Sequence, residues 1–186
     1  HSPLTPTCLA LSAQTQWDCL FMSEIDDSIT QRVFFDLSIG GVEIGRVIFG
    51  LHGKACPKTA ENFRCLCTGE KGSVKLSKRS TIRLHYEKTR LHRVVPGFLV
   101  QGGDVTRSEG GTGGYSIYGP TFCDESFKIK HTGAGQLLMA NFGLFDANHS
   151  QFAVAMGRIT EFESNYVIFG AVQSGMDVLR RVELEG

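Results

Sequence analysis

The chain has 186 residues, 41% of them hydrophobic and 20% charged, with 19 basic against 19 acidic side chains. That suits one globular domain able to bury a core without metals or disulfides. A formal net charge of zero excludes a whole-chain pull toward nucleic acid or an anionic membrane, and no apolar run approaches the ~18 residues of a membrane helix.

Residues 1–31 read as an N-terminal extension, rich in Ser, Thr, Gln and Asp, with the lone Trp17. Its short apolar patch, Cys8-Leu9-Ala10-Leu11, lacks a preceding basic region and does not read as a signal peptide. Regular alternation begins near Gln31, so a domain is expected over residues 32–186. Val33, Phe35, Leu37 and Ile39 share one face of a strand, and Phe34, Asp36 and Ser38 the other. Gly40-Gly41 predicts a two-residue hairpin turn into a partner strand from about Val42 to Leu51.

Pro57 suits a first helical position, Ala60, Phe63 and Cys67 recur at helical spacing, and Gly69 ends the run. Ser174 and Asp177 have capping-box spacing before Val178, Leu179 and Val182, predicting a second helix. Between the helices lie short apolar runs cut by glycine: Phe98–Val100, Leu137–Ala140, Phe152–Met156 and Val167–Val172. Glycine is 22 of 186 residues, about 12% against a usual ~7%. The pattern implies a closed or nearly closed antiparallel sheet with two helical caps. Six cysteines are too sparse for a disulfide scaffold, and Cys65-Leu66-Cys67 lacks zinc-ligand spacing, so reduced thiols, a cytoplasmic setting and no metal or cofactor are expected. Gly110 to Gly114 looks like a phosphate loop, but Tyr115–Gly119 is no helix start, which argues against a nucleotide site.

Longer strings carry more information. They include Val33-Phe34-Phe35-Asp36, Gly45-Arg46-Val47, Pro57 to Arg64 and Thr68 to Gly72. The most specific is His92-Arg93-Val94-Val95-Pro96-Gly97-Phe98-Leu99-Val100-Gln101-Gly102-Gly103-Asp104. Gly111 to Gly114, Ser116 to Gly119, His131-Thr132-Gly133, Met139-Ala140-Asn141 and Ser150-Gln151-Phe152 follow in order. From about Val33 to Glu183 the chain resembles the cyclophilin family. The resemblance implies a mainly β fold, a closed antiparallel β-barrel capped by two α-helices, and peptidyl-prolyl cis–trans isomerase activity on X-Pro bonds without a cofactor.

The resemblance also implies roles. Arg93 is the catalytic arginine, with Phe98 and Gln101 beside it. Leu99 (where the family usually has Met), Gly111, Ala140, Asn141, Gln151, Ala153, Phe162 and Tyr166 line the peptide groove, Asn141 through its main chain. Several of these depart from the family. Ala153 replaces a phenylalanine of the proline pocket, Glu161 a frequent tryptophan, Phe162 a leucine and Tyr166 a histidine. Loss of one phenyl ring removes ~1.5–3 kcal/mol of apolar contact, roughly ten- to a hundredfold in rate if it all falls on the transition state. Weakened catalysis and poor cyclosporin binding are therefore expected. The loop Phe142-Gly143-Leu144-Phe145 is more apolar than usual and longer by a residue. Its Phe142 or Phe145 either folds back beside Ala153 or faces a partner or solvent.

Segment 73–91 is longer than in the family and carries Lys75, Lys78, Arg79, Arg83, Lys88 and Arg90 against Glu87. It reads either as a solvated loop or as a grip for an acidic protein surface; no membrane or nucleic-acid partner is expected. Ile82 to Tyr86 resembles a divergent cyclophilin-like subgroup with ciliary members, a pointer to a cytoskeletal or axonemal setting. The alternative to an enzyme is a catalytically weak prolyl-peptide-binding or scaffold module in a larger assembly. Family sequences continue past the second helix into a barrel-closing strand, whereas this one stops at Gly186. The expectation is that the protein continues, or that residues 1–31 or a partner cover the open edge.

Overall fold

The computed structural model describes residues 25–159 and 165–186. Cys8, Trp17, Cys19, Glu161 and Phe162, and the expectations attached to them, lie outside the described residues. Strand β1 (Gln31–Ile39) follows its alternation: Val33, Phe35, Leu37 and Ile39 turn inward, and Phe34, Asp36 and Ser38 outward. Gly40 and Gly41, at φ 59° and 85°, form the turn that such positive φ values favour between paired strands. Across it lies β2 (Val42–Leu51).

Helix α1 (Pro57–Thr68) starts on Pro57 and ends at Gly69, whose N–H bonds the Cys65 carbonyl. Its Phe63 sits among Phe35, Phe49, Tyr86, Phe152 and Phe169 with ring centroids 5.2 to 6.0 Å away. That aromatic knot centres the main core.

The basic segment forms a hairpin of β3 (Ser73–Lys75) and β4 (Thr81–Arg83). It is more than a solvated loop, because Ile82, Leu84 and Tyr86 are buried at alternate positions, and Tyr86 Oη donates to the Ser150 carbonyl at 2.6 Å. Lys75, Lys78 and Arg79 stay exposed, while Arg83 pairs with Glu87 at 2.9 Å.

The remaining strands are β5 (Arg93–Val95), β6 (Leu99–Gly102), β7 (Gln136–Met139), β8 (Phe152–Ala155) and β9 (Ile168–Ser174). The seven-stranded sheet runs β1-β2-β9-β7-β8-β6-β5 with antiparallel neighbours. Its outer strands, β1 and β5, border one groove of about 840 Å³ lined by Phe35, Leu37, Leu91, Val94 and Val182. The sheet therefore curls into a half-barrel. Residues 25–30 lie against Gly50, Leu51 and Lys54 rather than in that groove. No helix among the described residues is long and apolar enough to cross a membrane.

Helix α2 (Met176–Glu183) packs Val178, Leu179 and Val182 into the core. The expected capping box is not formed. Ser174 is the last residue of β9, and the cap is Gly175 at φ 88° with no side-chain bond. A Cβ there would lie 2.3 Å from the Arg46 carbonyl oxygen, so backbone proximity, not a serine cap, sets this helix start.

Strands β6, β7 and β8 are buried on both faces, hence their near-continuous apolar runs. Val100, Leu137, Met139, Phe152 and Val154 face the main core. Leu99, Leu138, Ala153 and Ala155 form a smaller cluster on the other face with Ile159 and Ile168. That second face carries the candidate site.

Candidate active site

Side chains two residues apart on a strand share a face, and cross-strand partners sit side by side. Arg93 on β5 pairs with Gln101 on β6, Gln101 with Ala153 on β8, and Ala153 with Leu138 on β7. This row runs from a charge, through an amide, to an apolar floor. Above it, Val95-Pro96-Gly97-Phe98 forms a tight turn closed by Phe98 N to Val95 O at 3.0 Å, with Gly97 at φ 73°, the pattern of a type II turn. Glu183 on α2 accepts the Gly97 N–H at 2.5 Å and so ties the turn to the helix. Phe98 is thereby presented beside Leu99.

Arg93, Phe98, Leu99, Gln101, Leu138, Ala140, Phe142, Ala153 and Tyr166 line one cavity of about 160 Å³. Eight of the residues singled out in the sequence meet there, Phe142 included; Leu138 was not among them. Phe142 is the loop side chain beside Ala153, whereas Phe145 is 70% exposed.

Gln151, Gly111 and Asn141 are not among the residues that line the cavity. Arg93 Nη1 reaches Gln101 Oε1 at a long 3.5 Å, and Gln101 Nε2 donates to Gln151 Oε1 at 2.9 Å. The fully buried Gln151 donates onward through Nε2 to the carbonyls of Gly111 and Gly113 at 2.6 and 2.5 Å. Asn141 spends its side chain locally, donating to the Asn165 carbonyl at 2.9 Å and accepting the Gly143 N–H at 3.0 Å.

Two further residues, neither given a role in the sequence, support this network. Asp104 accepts from Thr106 N and Oγ1, Ser108 N and Oγ, and Gly113 N. Burial works to raise its carboxyl, but the bonds from Ser108, Thr106 and Gly113 prevail and hold it below the usual carboxylate range. His149 accepts the Gln151 N–H on Nδ1 at 3.0 Å, and its burial pushes its pKa down despite nearby Asp104. With Nδ1 accepting, the neutral form of the ring carries its proton on Nε2. Their contacts are short-range, two residues from His149 to Gln151 and two to nine from Asp104 to Thr106, Ser108 and Gly113.

Glu61, Cys65 and Glu70 place potential ligand atoms within 4.8 Å of one another. The Arg64 guanidinium already binds both carboxylates at 2.7 to 2.9 Å, and burial pushes the Cys65 thiol up to about 12. This is an ion-pair knot at the C-terminal end of α1, and a protonated thiol beside a guanidinium is a poor cation site.

The chain matches the family described as cyclophilin type peptidyl-prolyl cis-trans isomerase/CLD over residues 34–185. It is 46% identical over 158 residues to the peptidyl-prolyl cis-trans isomerase CYP21-1 of Arabidopsis thaliana, a match spanning 85% of this chain and 68% of that protein.

Proposed function

This chain belongs to the cyclophilin-type peptidyl-prolyl cis–trans isomerases, and from that premise we propose that the cavity beside Arg93 receives the proline ring of an X-Pro segment while Arg93 promotes rotation about the bond before it. The barrier to be lowered is ~18–20 kcal/mol and comes from amide resonance. Rotation breaks no covalent bond, so the site requires neither nucleophile nor metal. It has to hold the ring and stabilise the twisted amide, whose nitrogen gains a lone pair as conjugation is lost. A guanidinium offers a planar fork of donors for that nitrogen and the neighbouring carbonyl. Phe98, Leu99 and Ala153 supply the apolar wall, and Gln101 orients Arg93.

The observation that carries this reading is the meeting of Arg93 with that wall in one cavity. An isomerisation assay on prolyl peptides tests it. Arg93→Ala is expected to abolish most of the acceleration while leaving peptide binding measurable. Equal rates for wild type and variant would refute the assignment.

The activity we assign is modest. Ala153 offers the ring a methyl group in place of a larger wall, and Phe142, which borders the same cavity, stays 55% exposed. The same residue favours a second reading, a module that binds prolyl peptides without useful turnover. Peptide titration separates the two: shifts at Phe98 and Arg93 without faster isomer exchange support the module. The exposed Lys75, Lys78 and Arg79 are assigned to an acidic segment of a partner protein. Lys75→Glu/Lys78→Glu is expected to end capture of an acidic peptide at low salt; undiminished capture refutes that contact.

A further inference from the structure

Three large apolar side chains crowd one short loop beside the cavity. Phe142, Leu144 and Phe145 are 55%, 64% and 70% exposed. A cluster of this kind, rather than a scattered single residue, marks a contact surface.

The loop is built, not slack. At its start the Asn141 carbonyl accepts the Leu144 N–H at 3.0 Å, and the Asn141 side chain joins Gly143 to Asn165. At its end Asp146 and Asp124 each accept the other's backbone N–H at 2.8 Å, and Asn148 Nδ2 holds Asp124 at 2.7 Å. Between these anchors Phe142 adopts φ 55°, a left-handed conformation that strains a bulky side chain and persists only where its surroundings enforce it. Its ring leans on His149 at 5.3 Å and borders the cavity that Arg93 and Phe98 also line. Through Phe142 the exposed loop adjoins the site.

We propose that Phe142, Leu144 and Phe145 form a subsite for a large apolar side chain flanking the proline of the same peptide, which makes the enzyme selective for prolines with leucine-like or aromatic neighbours. This rests on the assignment of the cavity to the proline ring. Consecutive Cα atoms are ~3.8 Å apart, so a neighbour of the bound proline falls within reach of a ring that borders the proline's own cavity.

The test compares kcat/KM for three tetrapeptides: proline between alanines, with leucine before it, and with leucine after it. One leucine peptide is expected to be preferred over the alanine peptide by about three- to tenfold, mainly through KM. The preference should fall toward parity in Leu144→Ser/Phe145→Ser. Equal constants for all three peptides in the wild type, or a leucine preference unchanged in the variant, overturns the subsite and leaves the proline cavity standing. No turnover of any peptide, together with no shift at Phe98 or Arg93 on peptide titration, overturns the cavity assignment and the subsite with it. Should the variant not fold, the wild type still decides. Titration with the preferred leucine peptide shifts the Leu144 methyl and Phe145 ring resonances, and their insensitivity refutes the subsite.

Discussion

Gln101 donates to Gln151 in one polarity only. Gln151 Nε2 faces the carbonyls of Gly111 and Gly113, which can only accept, so its Oε1 must turn to Gln101. Gln101 then spends its own Nε2 on that oxygen at 2.9 Å and presents its Oε1 to Arg93. Amide orientation, ordinarily ambiguous, is settled by two backbone carbonyls remote from the cavity.

Gln151→Glu removes the donors that set this polarity. It is expected to lower kcat roughly ten- to a hundredfold with little change in KM, the scale of a catalytic group displaced by about an ångström. It also leaves buried carbonyls unpaired, costing ~1–3 kcal/mol of stability. Steady-state kinetics beside urea melts check both. A stability loss with unchanged kcat would mean that Gln151 supports the fold alone.

Phe142 and Ala153 border the same cavity, so their side chains should compete for it. Phe142→Ala is expected to lower kcat/KM, and Ala153→Phe to raise it more in that background than in the wild type. The four kcat/KM values form a double-mutant cycle. Strict additivity would show that the two positions do not share the space.

His149 and Asp104 predict two separate acid transitions. The folded His149 resists protonation, so its stabilising contribution is complete above the ordinary 6.5 and is lost as pH falls from there toward its lowered folded value. Asp104 acts lower. Its contribution is complete above 3.8 and declines as pH falls below that toward its own depressed value. Tm measured against pH should slope in both windows, and His149→Phe should flatten the upper one alone. An unaltered upper slope in that variant would assign the transition to other groups.

Tyr86→Phe tests whether segment 73–91 belongs to the core. Removing the hydroxyl strands the Ser150 carbonyl, at a cost of ~1–3 kcal/mol. Tm should fall by roughly 2–4 °C per kcal/mol for a domain of this size. A Tm unchanged on scanning calorimetry would return the segment to the status of a surface loop.

The parts legible in the sequence were those dictated by short-range chemistry. The β1–β2 hairpin is written in alternation plus Gly40-Gly41, and α1 in Pro57 and Gly69. The β3–β4 hairpin was obscured because its charges drew attention from the alternation of Ile82, Leu84 and Tyr86. Strand β5, with three residues, is too short to show a period, and Ser174 mimicked a cap that a close backbone contact makes unnecessary. At the site, Arg93, Phe98 and Gln101 were recognisable only through family resemblance. Leu138 looked like any core leucine until pairing set it beside Ala153. His149 and Asp104 take their roles from turn contacts two to nine residues away, where a short polar residue in sequence does not reveal which backbone it will hold.

The groove between β1 and β5 also governs how the protein behaves at the bench. Strands at the margin of a sheet carry backbone groups that can recruit another strand, and here two such margins flank a trough lined by apolar Leu37 and Val94 and by charged Lys88, Arg90 and Glu185. In any preparation in which that trough stays open, association through these strand margins is expected to rise with protein concentration. Light scattering across a dilution series would register this well before any thermal melt did.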